Sequence, residues 1–180
     1  VDVETANDDV VQSVPDRLAI AEPTTFTASY TIIPSLTGVP TNATVIQSGG
    51  RRRVTIGAVD FRTDGAASRT CSDGGVNCID GIDEARVSDL NVTHLFWGSS
   101  FAQRLGTDAS RNVGGTQGRI ESIAGQPASC ADITVPSIDG TGVVTYCAID
   151  AGPLARYFGA DVTIELTSFA PTADEALLAP

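Results

Sequence analysis

The strongest constraint on what this chain can fold into is a period of two. In "TTFTASYTIIP" the residues Phe26, Ala28, Tyr30 and Ile32 fall on one side, and Thr25, Thr27, Ser29 and Thr31 fall on the other. Successive side chains of a strand point to opposite faces, so this is the pattern of a strand with one buried and one wetted face. The same pattern closes the chain in "DVTIELTSF", where Val162, Ile164, Leu166 and Ser168 oppose Thr163, Glu165, Thr167 and Phe169. Between these stretches lie further strand candidates: "ATVIQS", "RRVTIGAVDFRT", "GRIESIAGQ", "ASCADITV", "GVVTYCAID" and "PLARYFG". Short turns such as "DAG" and "FGAD" make antiparallel neighbours of them. Within "RRVTIGAVDFRT" the apolar phase runs Val54, Ile56, Ala58 and then slips to Val59 and Phe61, which predicts a bulge near Gly57.

One segment departs from this period. From about residue 83 to 113, Trp97, Phe101, Leu105 and Ala109 recur four apart, a helical spacing, with Ser99 or Ser100 placed to cap and Gly114-Gly115 placed to stop. The spacing predicts a short and a longer helix joined near "WGS". Residues 1–23 are acidic and carry one possible short helix around "DDVVQSVPDRLAIAE", interrupted at Pro15. The expected organisation is thus an N-terminal segment, 1–23, followed by a single domain, 24–180, with a helical insertion. A mostly antiparallel sheet must hide its apolar face, and two or three short helices cover only part of a flat one. The sheet is therefore expected to curl, giving an α+β fold.

Four cysteines group two by two, as Cys71 with Cys78 and Cys130 with Cys147. Zinc sites show C-x₂₋₄-C spacing or histidine partners, whereas these gaps are longer and His94 is the one histidine in the chain. Both pairs suit neighbouring antiparallel strands, so two disulfides are expected, each adding about 2.5–3 kcal/mol by restricting the unfolded chain. Disulfides persist in oxidising compartments, which places the protein outside the cytoplasm or in the cell envelope. The absence of methionine fits removal of a targeting peptide, and an N-terminal lipid anchor is compatible with that start. No run of apolar residues is long enough to span a bilayer as a helix.

All eleven basic residues are arginine, against twenty-two acids, for a net charge of −11. Phosphate backbones need Lys or Arg neutralisation over several contacts, so nucleic acid is excluded as a partner. The one basic cluster, "GGRRRV", reads as a solvated strand edge. Asp73, Asp80, Asp83 and Glu84 do not follow the calcium-loop pattern, and no metal or other cofactor is expected. His94 lies in apolar "VTHLFWG" without a G-x-S-x-G elbow, so no catalytic residue is assigned and the chain is not expected to be an enzyme. Two N-x-[ST] sequons, at Asn42 and Asn91, are given no role.

"ESIAGQPASCADITVP" and "VVTYCAIDAGPLARYFGADVTIELTSF" carry a resemblance. Gly125-Gln126-Pro127 precedes a strand, Cys147-Ala148-Ile149-Asp150 ends one, and Pro153-Leu154 opens the next. With "FTASYTI" and the "TCSDGGVNC" hairpin, the stretch from about residue 20 to 170 resembles secreted actinobacterial lipoproteins of the LolA/LppX type. That resemblance implies a half-open β-barrel of about ten or eleven strands, its concave apolar face covered by helices and used to hold acyl chains non-covalently. The implied partner is a lipid or a lipidated ligand. The candidate apolar lining is Phe26, Tyr30, Ile56, Phe61, Leu95, Phe96, Trp97, Phe101, Val162, Ile164 and Leu166. The alternative is the same fold with a filled core, serving as an interaction or structural module for an envelope protein partner.

Overall fold

The computed structural model describes residues 3–90 and 92–178. Asn91, and with it one of the two sequons, lies outside them. Eleven strands form one open, all-antiparallel sheet: β1 (Phe26–Pro34), β2 (Thr41–Ser48), β3 (Arg51–Ile56), β4 (Val59–Thr63), β5 (Ser68–Ser72), β6 (Val76–Asp80), β7 (Thr116–Ile123), β8 (Gln126–Ser137), β9 (Gly140–Ile149), β10 (Leu154–Phe158) and β11 (Val162–Ala170). Their spatial order is β6-β5-β4-β3-β2-β1-β11-β10-β9-β8-β7. Two meanders therefore meet at the centre, where the two stretches with the clearest alternation, β1 and β11, pair with each other.

This order explains why helices interrupt the strands. After β6 the chain stands at one edge of the sheet and must begin β7 at the other. Eleven strands spaced about 4.8 Å apart would separate the two edges by roughly 50 Å if the sheet were flat. The crossing carries a 3-10 segment, Glu84–Leu90, and helix α2, Ser99–Ser110. It runs over the apolar face, where Val87, Val92, Phe96, Trp97, Phe101 and Leu105 are buried. Helix α1, Val3–Ile20, packs beside it against β7, β8 and β9 and buries Val14 and Leu18.

Aromatic pairs fill the interior: Phe26 with Trp97 (ring centroids 5.3 Å apart), Tyr30 with Phe96 (5.0 Å) and Phe101 with Tyr157 (4.9 Å). The Trp97 indole N–H donates to the His94 carbonyl at 3.2 Å, and the Trp97 carbonyl accepts the Leu154 N–H at 2.8 Å. The crossing segment is thus hydrogen-bonded to β10 as well as packed on the core. Both disulfides form as the spacing implies, and Cys130 and Cys147 stand directly opposite each other in the β8–β9 register.

Four local expectations give way. Pro15 does not interrupt α1: the helix runs through it, held by the buried side chains of Val14 and Leu18 on either side. The phase slip at Gly57 is the β3–β4 hairpin turn, with Gly57 at φ +58°, and not a bulge. Neither Ser99 nor Ser100 caps α2. Gly98 stands at the cap position, and Ser100 Oγ donates instead to the Leu95 carbonyl at 2.9 Å. The arginines of "GGRRRV" do not form a solvated edge, because β3 is an interior strand. Arg51 pairs with Glu175, Arg53 with buried Asp60 at 3.0 Å, and Arg52 lies 4.9 Å over the Trp97 ring while donating to Gln47.

The two sheet edges differ. At β7 the Asn7 side chain of α1 accepts the Gly118 N–H at 2.6 Å and donates to the Thr116 carbonyl at 3.4 Å, occupying ladder positions that a further strand would use. A side chain at position 118 would meet the Asn7 carbonyl at 2.7 Å, so this approach requires glycine. β6, at the other edge, is exposed along its whole length.

Candidate binding site at one end of the half-barrel

Ten of the eleven residues expected to line an acyl pocket are at most 3% exposed: Phe26, Tyr30, Ile56, Phe61, Phe96, Trp97, Phe101, Val162, Ile164 and Leu166. Leu95 is partly buried against them. They form one continuous core with Val14 and Leu18, so the concave face is occupied by the chain's own helices. The hydroxyl of Tyr30, fully buried here, has no hydrogen-bond partner among the described residues.

An opening lies elsewhere, at the end of the sheet where β8 turns into β9 and β10 turns into β11. A cleft of about 800 Å³ is bounded by Arg104, Asp108 and Arg111 of α2, by the β8–β9 hairpin from Val135 to Val144, and by Tyr157, Ala160 and Asp161. Its α2 wall is fastened by a polar network. Arg104 Nη2 donates to Asp161 Oδ1 at 2.6 Å, and its guanidinium lies 4.5 Å over the Tyr157 ring. The Tyr146 hydroxyl donates to Asp108 at 2.6 Å, and the Tyr157 hydroxyl to Asp161 at 3.4 Å. Burial, with the neighbouring carboxylates, pushes both tyrosines well above the usual phenol range. Burial works against the charge of Arg104, but its bond to Asp161 and the surrounding Tyr and Asp groups outweigh that and hold it above the usual guanidinium range.

Around this same end stand exposed apolar side chains on turns and strand tips: Leu36 and Val39 between β1 and β2, Val113 before β7, Ile138 and Val143 on the β8–β9 hairpin, and Phe158 ending β10. Leu36 is 97% exposed and Ile138 fully so. The β1–β2 loop is tied to the cleft by the Ser35 N–H, which donates to the Asp161 carbonyl at 2.8 Å. Exposed apolar residues scattered singly need no explanation, but six of them on the turns and strand tips of one end give that end an apolar fringe. None of these residues was among the expected lining. A signal for two of them was present, since Leu36 in "PSLTGVP" and Ile138 in "PSIDGTG" are apolar residues set inside turn chemistry.

The groups weighed for chemistry are held apart in their own contacts. His94 Nδ1 is paired with Glu84, whose carboxylate also accepts the His94 backbone N–H at 3.1 Å. Asp73 accepts from Asn77, and Asp83 from Arg86. Asp80 stands opposite Arg69 in the β5–β6 register.

No family model matches the sequence, and no curated protein matches it. Solved structures do. MucB in complex with MucA(peri) is 16% identical over 94% of this chain and 59% of that one, with a TM-score of 0.53. The Pseudomonas aeruginosa MucA/MucB complex is 16% identical over 96% and 61%, with a TM-score of 0.54. MucB alone is 14% identical over 94% and 62%, with a TM-score of 0.50. The fold is a LolA-like half-barrel. This half-barrel spans about three fifths of the length of the MucB structures it matches. At such identities the likeness shows architecture, and the open-end cleft is described from this chain's residues alone.

Proposed function

We propose that this half-barrel is an extracytoplasmic protein-interaction module without catalytic activity, which engages a partner chain through the apolar fringe and cleft at its open end. The observation that carries the reading is the filled interior: Phe96, Trp97 and Phe101 occupy the concave face where an acyl ligand would lie. Two disulfides support a place outside the reducing cytoplasm. The solved complex of MucB with MucA(peri) supports the reading by showing this fold engaged with a protein. Arg104 is paired with Asp161 and Tyr146 with Asp108, contacts that brace the α2 wall of the cleft.

A second reading, binding of a lipid or lipidated ligand, draws on the cleft itself. Its volume of about 800 Å³ lies within the range of small-molecule sites, and Val135, Val144 and Tyr157 give it apolar walls. One experiment separates the two. The protein is purified from the envelope of its source cells and examined by native mass spectrometry, beside a Leu36→Asp/Ile138→Asp variant. A polypeptide that accompanies the wild type and is lost from the variant supports the interaction module. An adduct that releases acyl-containing molecules on organic extraction overturns it in favour of lipid binding.

A further inference from the structure

The β8–β9 hairpin outruns its neighbour. β9 pairs with β8 as far as Gly140 opposite Ser137, but its pairing with β10 stops at Thr145 opposite Phe158, where the chain turns away to β11. From Val144 back to Gly140, roughly 13 Å of strand, one side of β9 has no strand beside it. The hydrogen bonds of β8 show which groups this leaves open. Thr134 donates its N–H to the Gly115 carbonyl at 3.4 Å and accepts the Val113 N–H at 2.9 Å, both away from β9, and Pro136 has no N–H to give. In an antiparallel pair, opposed residues that do not bond each other point their main-chain groups outward. Val143, opposite Thr134, and Thr141, opposite Pro136, therefore turn their N–H and carbonyl groups to the vacant side. That side borders the open-end cleft, which Gly142, Val143 and Val144 line. Gly142 does not have a positive φ, and a Cβ there would meet Ser137 at an ordinary 3.6 Å, so local packing does not require glycine. Its missing side chain leaves room for a second backbone to approach.

We infer that the cleft takes an extended polypeptide segment with a basic residue, which adds as a strand along the open side of β9 and continues the line of β10. The inference rests on the interaction reading above and names the partner's chemistry. Alternating N–H and carbonyl groups at Thr141 and Val143 are matched by a second main chain at strand spacing, whereas an acyl chain offers them neither donor nor acceptor. The basic residue follows from the charges. Asp108, Asp139 and Asp161 stand in the cleft against Arg104 and Arg111. Arg104 is taken up by Asp161, Arg111 comes no nearer than 3.9 Å to Asp108, and Asp139 at the hairpin tip pairs with no cation among the described residues. In a chain of net charge −11 an incoming cation is favoured and an incoming carboxylate is repelled. The apolar tips Ile138 and Phe158 flank the two ends of this stretch and give the added strand's apolar side chains a surface to cover.

The test titrates the full chain, labelled for NMR, with a short peptide of alternating threonine and valine carrying a central arginine, and with the same peptide carrying glutamate instead. Amide exchange is followed residue by residue. The expected result is exchange slowed at least about tenfold at Thr141 and Val143, with little change at Gly142 and Val144, which already bond to β8. The glutamate peptide should bind at least about tenfold more weakly, with the difference shrinking as salt is added. Val143→Pro removes one outward N–H and should abolish binding of the arginine peptide. If that variant does not fold, the exchange pattern of the wild type decides alone. No binding up to roughly millimolar peptide, protection that omits Thr141 and Val143, or equal affinity for the two peptides overturns the inference. If any of these occurs while the envelope polypeptide is still lost from the Leu36→Asp/Ile138→Asp variant, strand addition is refuted and the interaction module stands. An acyl-containing adduct in the native protein overturns both.

Discussion

Asp60 offers the sharpest test of how the N-terminal meander is held. It lies on β4, its side chain 3% exposed, and it accepts from Arg53 Nε at 3.0 Å and from Arg62 Nε and Nη2 at 3.0 and 2.9 Å. Arg53 and Arg62 face each other directly in the β3–β4 register, and like charges in that position repel. Asp60 converts the repulsion into a bridged triad. Asp60→Asn keeps the shape and removes the charge. Breaking a fully buried pair costs about 3–5 kcal/mol, but both arginines keep 27% of their side-chain exposure and can rehydrate, so about 2–3 kcal/mol is expected here. For a domain of this size that lowers Tm by roughly 4–12 °C. Thermal and urea unfolding followed by circular dichroism measure it, with Arg53→Met added to Asp60→Asn as the second arm. The double variant should recover part of the loss, because it removes the uncompensated cation. A loss under about 0.5 kcal/mol in Asp60→Asn, or no recovery in the double variant, refutes this account of the triad.

Other outcomes follow from the same contacts. Tyr30→Phe removes a buried hydroxyl that has no partner among the described residues, and should leave stability unchanged or raise it by up to about 1 kcal/mol, whereas Tyr146→Phe forfeits the bond to Asp108 and should cost about 1 kcal/mol, both read from urea midpoints. Burial raises all three tyrosines, so the folded state keeps its phenol protons where the unfolded state releases them. The stability they contribute is therefore complete below the ordinary phenol value near about 10 and declines as pH rises beyond it. Ultraviolet absorbance at about pH 11 should show no tyrosinate until the chain unfolds, and a non-cooperative rise in the native state would contradict the burial. Gly152→Ala places a methyl 2.8 Å from the Ala21 Cα at a φ of +112°, and should loosen the C-terminal end of α1, seen as faster amide exchange there with little change in β1 and β11.

The half-barrel was legible where one physical rule acts alone. β1 alternates along its length and β11 as far as Leu166, because one face of each is buried and the other wetted. Beyond it the register shift at Ser29/Tyr30 leaves Ser168 exposed and turns Phe169 onto Phe26, against the expected phase. The cysteine pairs follow because hairpin strands place them opposite each other. Legibility failed where long-range contacts override a local rule. Pro15 lacks an N–H and should end a helix, yet α1 continues because Val14 and Leu18 are needed in the core. Arg51 to Arg53 read as an edge because nothing local reveals that Asp60, Gln47 and Glu175 will meet them. The open-end fringe was missed for a different reason. Leu36, Ile138 and Phe158 come from three separate turns and strand tips, and only the sheet order brings those to one end.

An open sheet invites addition of further strands, and its two edges determine what can be built. Endless head-to-tail stacking requires one molecule's β6 to join the next molecule's β7, a pairing that repeats without closing. Asn7 already occupies the Gly118 and Thr116 positions of β7, so that repeat has no starting point while α1 stays docked. The exposed β6 can still accept a strand, but two copies meeting there use the same edge twice around a two-fold axis and leave nothing to extend. Helix α1, with Asn7 at its contact with β7, therefore covers one of the two edges along which the sheet could grow.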